Sequence, residues 1–170
     1  IAGGVNNFQV NVDLPDFVTE VYDEFGNNTL NHTLLINLDG IVPIWPYKYA
    51  IVPEDSIILK GSTVDPFAPT KNYRFEIDTV DFDAPASPFR RYQVVTSEGG
   101  VVEAPTNNWL LSAGGSSAPL TLSDSTVYFW RVSLDTAVPN WTEFSFQYIP
   151  GKRGWGQAHF FQYKDNSFSI

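Results

Sequence analysis

The sequence predicts an all-β sandwich, and three observations carry that expectation. Apolar residues alternate with polar ones along most of the chain, as at Phe8, Val10 and Val12 or at Tyr73, Phe75 and Ile77, which is the period of a half-buried strand. No stretch sustains the 3.6-residue apolar period of a helix. Clusters of Gly, Pro, Asn and Asp break the alternation at short intervals, and these are turn signals because Gly and Asn tolerate positive φ while Pro fixes its own.

The elements follow in order. Phe8, Val10 and Val12 alternate with Gln9 and Asn11. Leu30, Leu34, Ile36 and Leu38 alternate with Asn31, Thr33, Leu35 and Asn37, with His32 on the apolar parity. Both segments read as half-buried strands. Between them lies the polar stretch Asp13–Thr29, which contains Phe17, Val18, Val21 and Tyr22 and the turn signal Gly26-Asn27-Asn28. Ile41-Val42-Pro43-Ile44-Trp45-Pro46 follows, and its prolines, lacking N–H donors, argue against a central strand. A short apolar domain junction is expected there, with the modules on either side packed together. Beyond it, strands are expected at Tyr47–Val52, Ser56–Ser62, Asn72–Asp78, Arg91–Thr96, Gly100–Ala104, Val127–Ser133 and Phe144–Ile149. They are separated by Asp65-Pro66, Ala84-Pro85-Ala86-Ser87-Pro88, Glu98-Gly99-Gly100, Gly114-Gly115-Ser116-Ser117 and Pro139-Asn140. Seven short strands over roughly a hundred residues is the pattern of an immunoglobulin-like sandwich.

Composition narrows the function classes. A chain of 170 residues is one domain, or one plus a fragment of another, and buries enough surface to need no staples. Hydrophobic residues at 43% and aromatics at 15% exclude a disordered tail. Ten basic against 19 acidic residues give a net charge of −9, which argues against nucleic-acid or anionic-membrane partners. No apolar run of about 18 residues is present to form a membrane-spanning helix. Without Cys there is no disulfide framework, thiolate metal site or Cys nucleophile, though the compartment stays open. The chain also lacks Met and begins Ile1-Ala2-Gly3-Gly4, with no charged segment leading into an apolar one, so it reads as a piece of a longer precursor.

Leu122-Ser123-Asp124-Ser125-Thr126-Val127-Tyr128-Phe129-Trp130-Arg131-Val132 is the most informative segment. Tyr128 opens a strand whose core face carries Tyr128, Trp130 and Val132. The spacing from Leu122 matches a tyrosine corner, a buried ring whose hydroxyl bonds backbone a few residues upstream. Leu122, Tyr128 and Trp130 are therefore expected to be structural. The segment resembles strand F of fibronectin type III domains, although Ile57-Ile58-Leu59 stands where that family usually buries a Trp.

Asp13, Asp16, Glu20, Asp23 and Glu24 cluster with no basic side chain among them. Calcium takes six to eight oxygen ligands, so these are candidate ligands, but no D-x-D-x-D-G loop is present. The preferred reading is a solvated hairpin face that protects a sheet edge. Asn11-Val12-Asp13, Val18-x-Glu20 and Glu24-x-x-Asn27-Asn28 are similar to the last hairpin of a CARDB domain, with Phe25-Gly26 inserted before the Asn pair. That resemblance implies that residues 1–42 are the closing strands of an Ig-like domain.

Gly151-Lys152-Arg153-Gly154-Trp155-Gly156-Gln157-Ala158-His159-Phe160-Phe161-Gln162 is dense in Gly and aromatics. It is no phosphate loop, since G-x-x-x-x-G-K-[ST] is absent. It reads as a strand entering another domain, with a sugar platform of Trp155, His159 and Phe161 as the competing reading. The run from Phe146-Gln147-Tyr148-Ile149-Pro150-Gly151 to Gln162-Tyr163-Lys164, with Phe67-Ala68-Pro69 and Tyr73-Arg74-Phe75-Glu76-Ile77-Asp78-Thr79 before it, resembles large secreted Bacteroidetes proteins. These are gingipain-type cysteine peptidases, similar to the sortase of the type IX secretion system. The resemblance implies a non-catalytic region, because the catalytic Cys has no counterpart here.

Intrinsic catalysis finds little support. His32 and His159 are distant in sequence, no G-x-S-x-G elbow occurs, and Glu54, Asp55, Asp78, Asp81 and Asp83 fall at expected turns, where acids are usually solvated. The sequons at Asn27, Asn31 and Asn140 would mark surface positions only in a secreted eukaryotic chain.

The expectation is a partial CARDB-like domain at 1–42, a fibronectin-like sandwich at 43–150, and a linker with the first strands of a further domain at 151–170. Its role is that of a structural or interaction module, extracellular or on a bacterial cell surface, with no cofactor. Its partners are other domains of the same precursor, or cell-surface polysaccharide or protein. The alternative is a carbohydrate-binding module that stacks sugars on exposed Trp109, Trp141, Trp155 and His159.

Overall fold

The computed structural model describes residues 4–11, 29–36 and 39–155. The chain divides into two compact units, Ile1–Leu38 and Asp39–Ile170.

In the first unit, β1 (Gly4–Asn11) pairs antiparallel with β2 (Thr29–Ile36), with Phe8 opposite His32 and Val10 opposite Leu30. One face carries these residues and Leu34. The other carries side-chain hydrogen bonds from Thr29 to Asn11 and from Thr33 to Asn7. The alternation produced strands as expected, but the apolar face is not half-buried: Val10 is 55% and Leu30 64% exposed. A two-stranded ribbon has no second layer of its own to bury an apolar face.

The second unit is an all-β sandwich with no helix among the described residues. Its strands are β3 (Ile41–Trp45), β4 (Ala50–Val52), β5 (Leu59–Thr63), β6 (Lys71–Asp78), β7 (Arg91–Ser97), β8 (Val101–Ala104), β9 (Leu110–Leu111), β10 (Thr126–Leu134), β11 (Thr142–Tyr148) and β12 (Gly154–Trp155). One sheet has the order β3-β5-β8, the other β12-β4-β11-β10-β6-β7-β9. The chain changes sheets between β3 and β4, β4 and β5, β5 and β6, β7 and β8, and β8 and β9, so neighbouring strands are often distant in sequence.

Two boundaries differ from expectation. Ile41–Trp45 is a strand of the sandwich, not a junction, and the units divide at Leu38/Asp39. Pro43 is tolerated because β3 is an edge strand and its register with β5 shifts between Pro43 and Trp45. At the other end, β12 was expected to open a further domain. Instead it adds to the sandwich's own sheet, with Gly154 opposite Ile51 and Trp155 opposite Ala50.

The core lies between the sheets. Tyr73, Phe75 and Ile77 of β6, Tyr128, Trp130 and Val132 of β10, and Phe146 of β11 face Ile41, Leu59, Val102 and Ala104. Their parity is the period-two pattern read in the sequence. Gly99 shows how tightly the β7–β8 turn is drawn in, since a Cβ there would lie 2.5 Å from Ala68 N and 2.6 Å from Asp65 O.

Candidate functional site

Tyr128 is fully buried, and the Ser123 N–H donates to its hydroxyl at 2.7 Å. Its ring stacks on Phe146 at 5.5 Å and tilts against Phe89 at 5.3 Å. Leu122 is buried beside it, its N–H donating to Asp55 O at 2.9 Å. The bond matters because Tyr128 is fully buried, and its hydroxyl left without a partner would cost about 1–3 kcal/mol. Trp130 is fully buried too, parallel to Phe75 and edge-on to Phe144.

The residues proposed to stack on a ligand do not form a platform. Trp109 is fully buried and its indole N–H donates to Pro105 O at 2.8 Å, so the expectation of an exposed ring is overturned. Trp141 is half-buried, with the Arg131 guanidinium 4.2 Å from its ring centre. Trp155 enters β12 through its backbone, while its side chain and all of His159 lie outside the described residues. The calcium candidates Asp13, Asp16, Glu20, Asp23 and Glu24 also lie outside them. Among the described residues no group of three or more His, Asp or Glu is placed to hold a metal.

The polar chemistry lies on the outer face of the large sheet. Glu76, buried on β6, accepts from Arg74 Nε at 2.8 Å on one oxygen and from Arg131 Nη2 at 2.6 Å on the other. Arg131 is held between two rings, Phe82 at 4.0 Å and Trp141 at 4.2 Å. Asp78 is fully buried at the end of β6. It accepts from the Thr79 and Ser87 N–H groups, the Ser87 hydroxyl and Arg90 Nε. The sequence had placed Asp78 among solvated turn acids, and this burial corrects that. The Asp78 contacts fasten the connection 79–90 over the sheet and carry Phe82 onto Arg131. The signal available in the sequence was the run Arg74-x-Glu76-x-Asp78, which sets charges on one face of a strand.

Glu143 stands opposite Arg131 in the β10–β11 ladder. Burial, then the negative charge of Asp81, push its carboxyl up from 4.5 to about 7; Asp83 adds to this, while Arg131 and Lys48 oppose it. A raised carboxyl pKa means that the folded state prefers the neutral form. Relative stability is therefore full below about pH 4.5 and is lost as pH rises through 7. Discounted for partial solvent screening, the cost above pH 7 is about 2 kcal/mol. Glu143→Gln is expected to stabilise the protein by roughly that amount at pH 8.5 and to be near neutral at pH 4.5. Urea titrations at the two pH values check this, and an equal effect at both would refute it.

A groove of about 590 Å³ is lined by Trp45, Tyr47, Ala50, Ile51, Pro53, Glu54, Arg153 and Gly154. It forms because β4 brings its own edge against β12, about a hundred residues later in the chain. Trp45 and Tyr47 meet edge to face, 5.0 Å apart at 89°. Arg153 Nη2 donates to Glu54 at 2.6 Å across the rim. The lining is mostly apolar, with one ion pair already satisfied within it. Sequence reasoning missed this groove, because Trp45 and Tyr47 were assigned to a junction and to the start of a strand.

Compared with family models, with curated proteins and with solved structures, the chain matches none.

Proposed function

We propose that this chain is a non-catalytic structural or interaction module of an extracellular or cell-surface bacterial protein, supporting a peptidase-like or adhesive parent. The observation that carries this reading is where the aromatic residues went. Trp109, Trp130, Tyr73, Tyr128, Phe75 and Phe146 are all fully buried. Trp141 is covered on one face by Arg131. A sugar-binding platform needs exposed, coplanar rings, whereas the partly exposed pair Trp45–Tyr47 is perpendicular. On the outer sheet face Arg74 and Arg131 are engaged with Glu76, and Arg90 with Asp78, which suits a stiff spacer better than a site that must exchange ligands.

The fibronectin-like reading of 43–150 is supported by the β11-β10-β6-β7 order against β3-β5-β8 and by the Tyr128 corner. For the CARDB-like reading of 1–42, support comes from the β1–β2 hairpin alone. Carbohydrate binding stays as the second reading because the Trp45–Tyr47 groove is apolar and of ligand size. Glycan-array binding with Trp fluorescence separates the two. The module reading expects no saturable binding. Saturable binding abolished by Tyr47→Ala replaces it with the carbohydrate reading.

A further inference from the structure

Basic side chains in the described residues are drawn against the sandwich, with two exceptions. Lys60 pairs with Glu103, Lys71 with Asp39, Arg74 and Arg131 with Glu76, and Arg90 with Asp78. Arg91 is half-buried over the Phe89 ring, and Lys48 half-buried over Tyr49. No Lys or Arg precedes Lys48 in the sequence. Among the described basic residues Lys152 and Arg153 alone are exposed, and they are adjacent. Arg153 keeps 78% of its side chain in solvent even while it reaches Glu54.

The backbone around them is equally distinctive. The pair is flanked by Gly151 at φ 69° and Gly154 at φ 154°, both in the region glycine favours. A turn precedes it, closed by Lys152 N–H to Ile149 O at 3.1 Å. β12 follows, a two-residue edge strand whose one strand partner is the three-residue β4. Such an element opens at little cost, and an endopeptidase needs its substrate released and extended. Elsewhere on a surface of net charge −9, nothing among the described residues offers an exposed cation to an acidic specificity pocket.

We propose that Lys152-Arg153 is a proteolytic processing site for an endopeptidase that takes a basic side chain in an acidic pocket. Water adds across the Arg153–Gly154 amide. The C–N bond breaks, the water oxygen completes a carboxylate on Arg153, and both hydrogens of the water end on the Gly154 nitrogen, which becomes an ammonium. The cut leaves β3 to β11 intact and detaches everything from Gly154 onward. It also removes Gly154 from the wall of the Trp45–Tyr47 groove.

Trypsin is the probe, applied at low ratio to the folded full chain and followed by intact mass. The expected first product ends at Lys152 or Arg153, and it forms at least about tenfold faster than any product of cutting between Lys48 and Arg131. A Lys152→Gln/Arg153→Gln variant with unchanged circular dichroism should lose that product. Early cutting at Lys48 to Arg131, cutting at Lys164 with Arg153–Gly154 intact, or an unchanged pattern in the double variant would overturn the proposal. In protein isolated from its natural source, sequencing should find Gly154 as a new amino terminus. An uncut Arg153–Gly154 bond in the mature protein would overturn it as well.

Discussion

Asp78→Ala is expected to destabilise the sandwich by about 4 kcal/mol, the scale of removing one partner from a buried ion pair. The carboxylate is fully buried, and both its oxygens are used. Thr79 N–H donates to it at 2.7 Å, Ser87 N–H at 3.2 Å and Arg90 Nε at 2.6 Å, with the Ser87 hydroxyl as the fourth donor. Alanine strands all of these at once. Arg90 has only 15% of its side chain in solvent, so its charge cannot rehydrate in place. It would have to swing out past Phe82, whose ring it covers at 4.8 Å, and the connection 79–90 would come away from the sheet. Asp78→Asn keeps the shape and loses the charge, so its cost should be about half. Acid gives a second readout. Burial alone would raise the Asp78 carboxyl, but the hydrogen bonds from Ser87 and Arg90 outweigh it and hold the group below 3.8. Its contribution is therefore present above about pH 4 and lost as pH falls through the folded value. The Asn variant should lose that acid dependence. Urea unfolding at pH 7 and pH 3 measures both effects, and a loss under about 1 kcal/mol for Asp78→Ala would refute the argument.

How much of this was legible depended on the kind of physics involved. Strands β5, β6, β7, β8, β10 and β11 lie within a few residues of where the alternation put them, because side-chain parity is a local property of the chain. The tyrosine corner was equally legible, since its bond spans only Ser123 to Tyr128. β3 was hidden by a rule applied too widely. Proline bars a central strand, not an edge strand with a bulge, and the sequence does not say which strand is at an edge. Parity also assigns a face without saying whether that face is covered. Arg74, Glu76, Asp78 and Arg131 fall on the outer side of their strands, where solvent was the natural expectation. The connection 79–90 and Trp141 close over that side, so Glu76 and Asp78 are buried. The groove was least legible, because the β4 and β12 that form it lie about a hundred residues apart in the chain.

Trp109→Ala is expected to cost about 4 kcal/mol, the range for deleting a large buried ring. Its surroundings in sequence suggest the opposite, since Thr106-Asn107-Asn108 precedes it and Gly114-Gly115-Ser116-Ser117 follows. Both are loop signals, and the alternative carbohydrate-binding reading takes the ring as exposed. In the fold the connection between β8 and β10 doubles back on itself. Trp109 and Ala118 exchange both backbone hydrogen bonds, at 3.0 and 2.9 Å, and Leu120 and Leu122 enter the core beside the indole. The side chain thus plugs the sandwich where a long connection would otherwise leave it open, and Pro105 O satisfies its one donor. Alanine would leave a cavity the size of the indole. Trp109→Phe retains most of the volume but strands Pro105 O, so it should cost about 1–2 kcal/mol. Urea unfolding followed by circular dichroism reads both variants. A surface ring kept for stacking on a sugar would behave otherwise, because its loss changes stability by less than about 0.5 kcal/mol while abolishing binding. The two accounts of Trp109 therefore predict stability changes about eightfold apart, and that difference needs no ligand to measure.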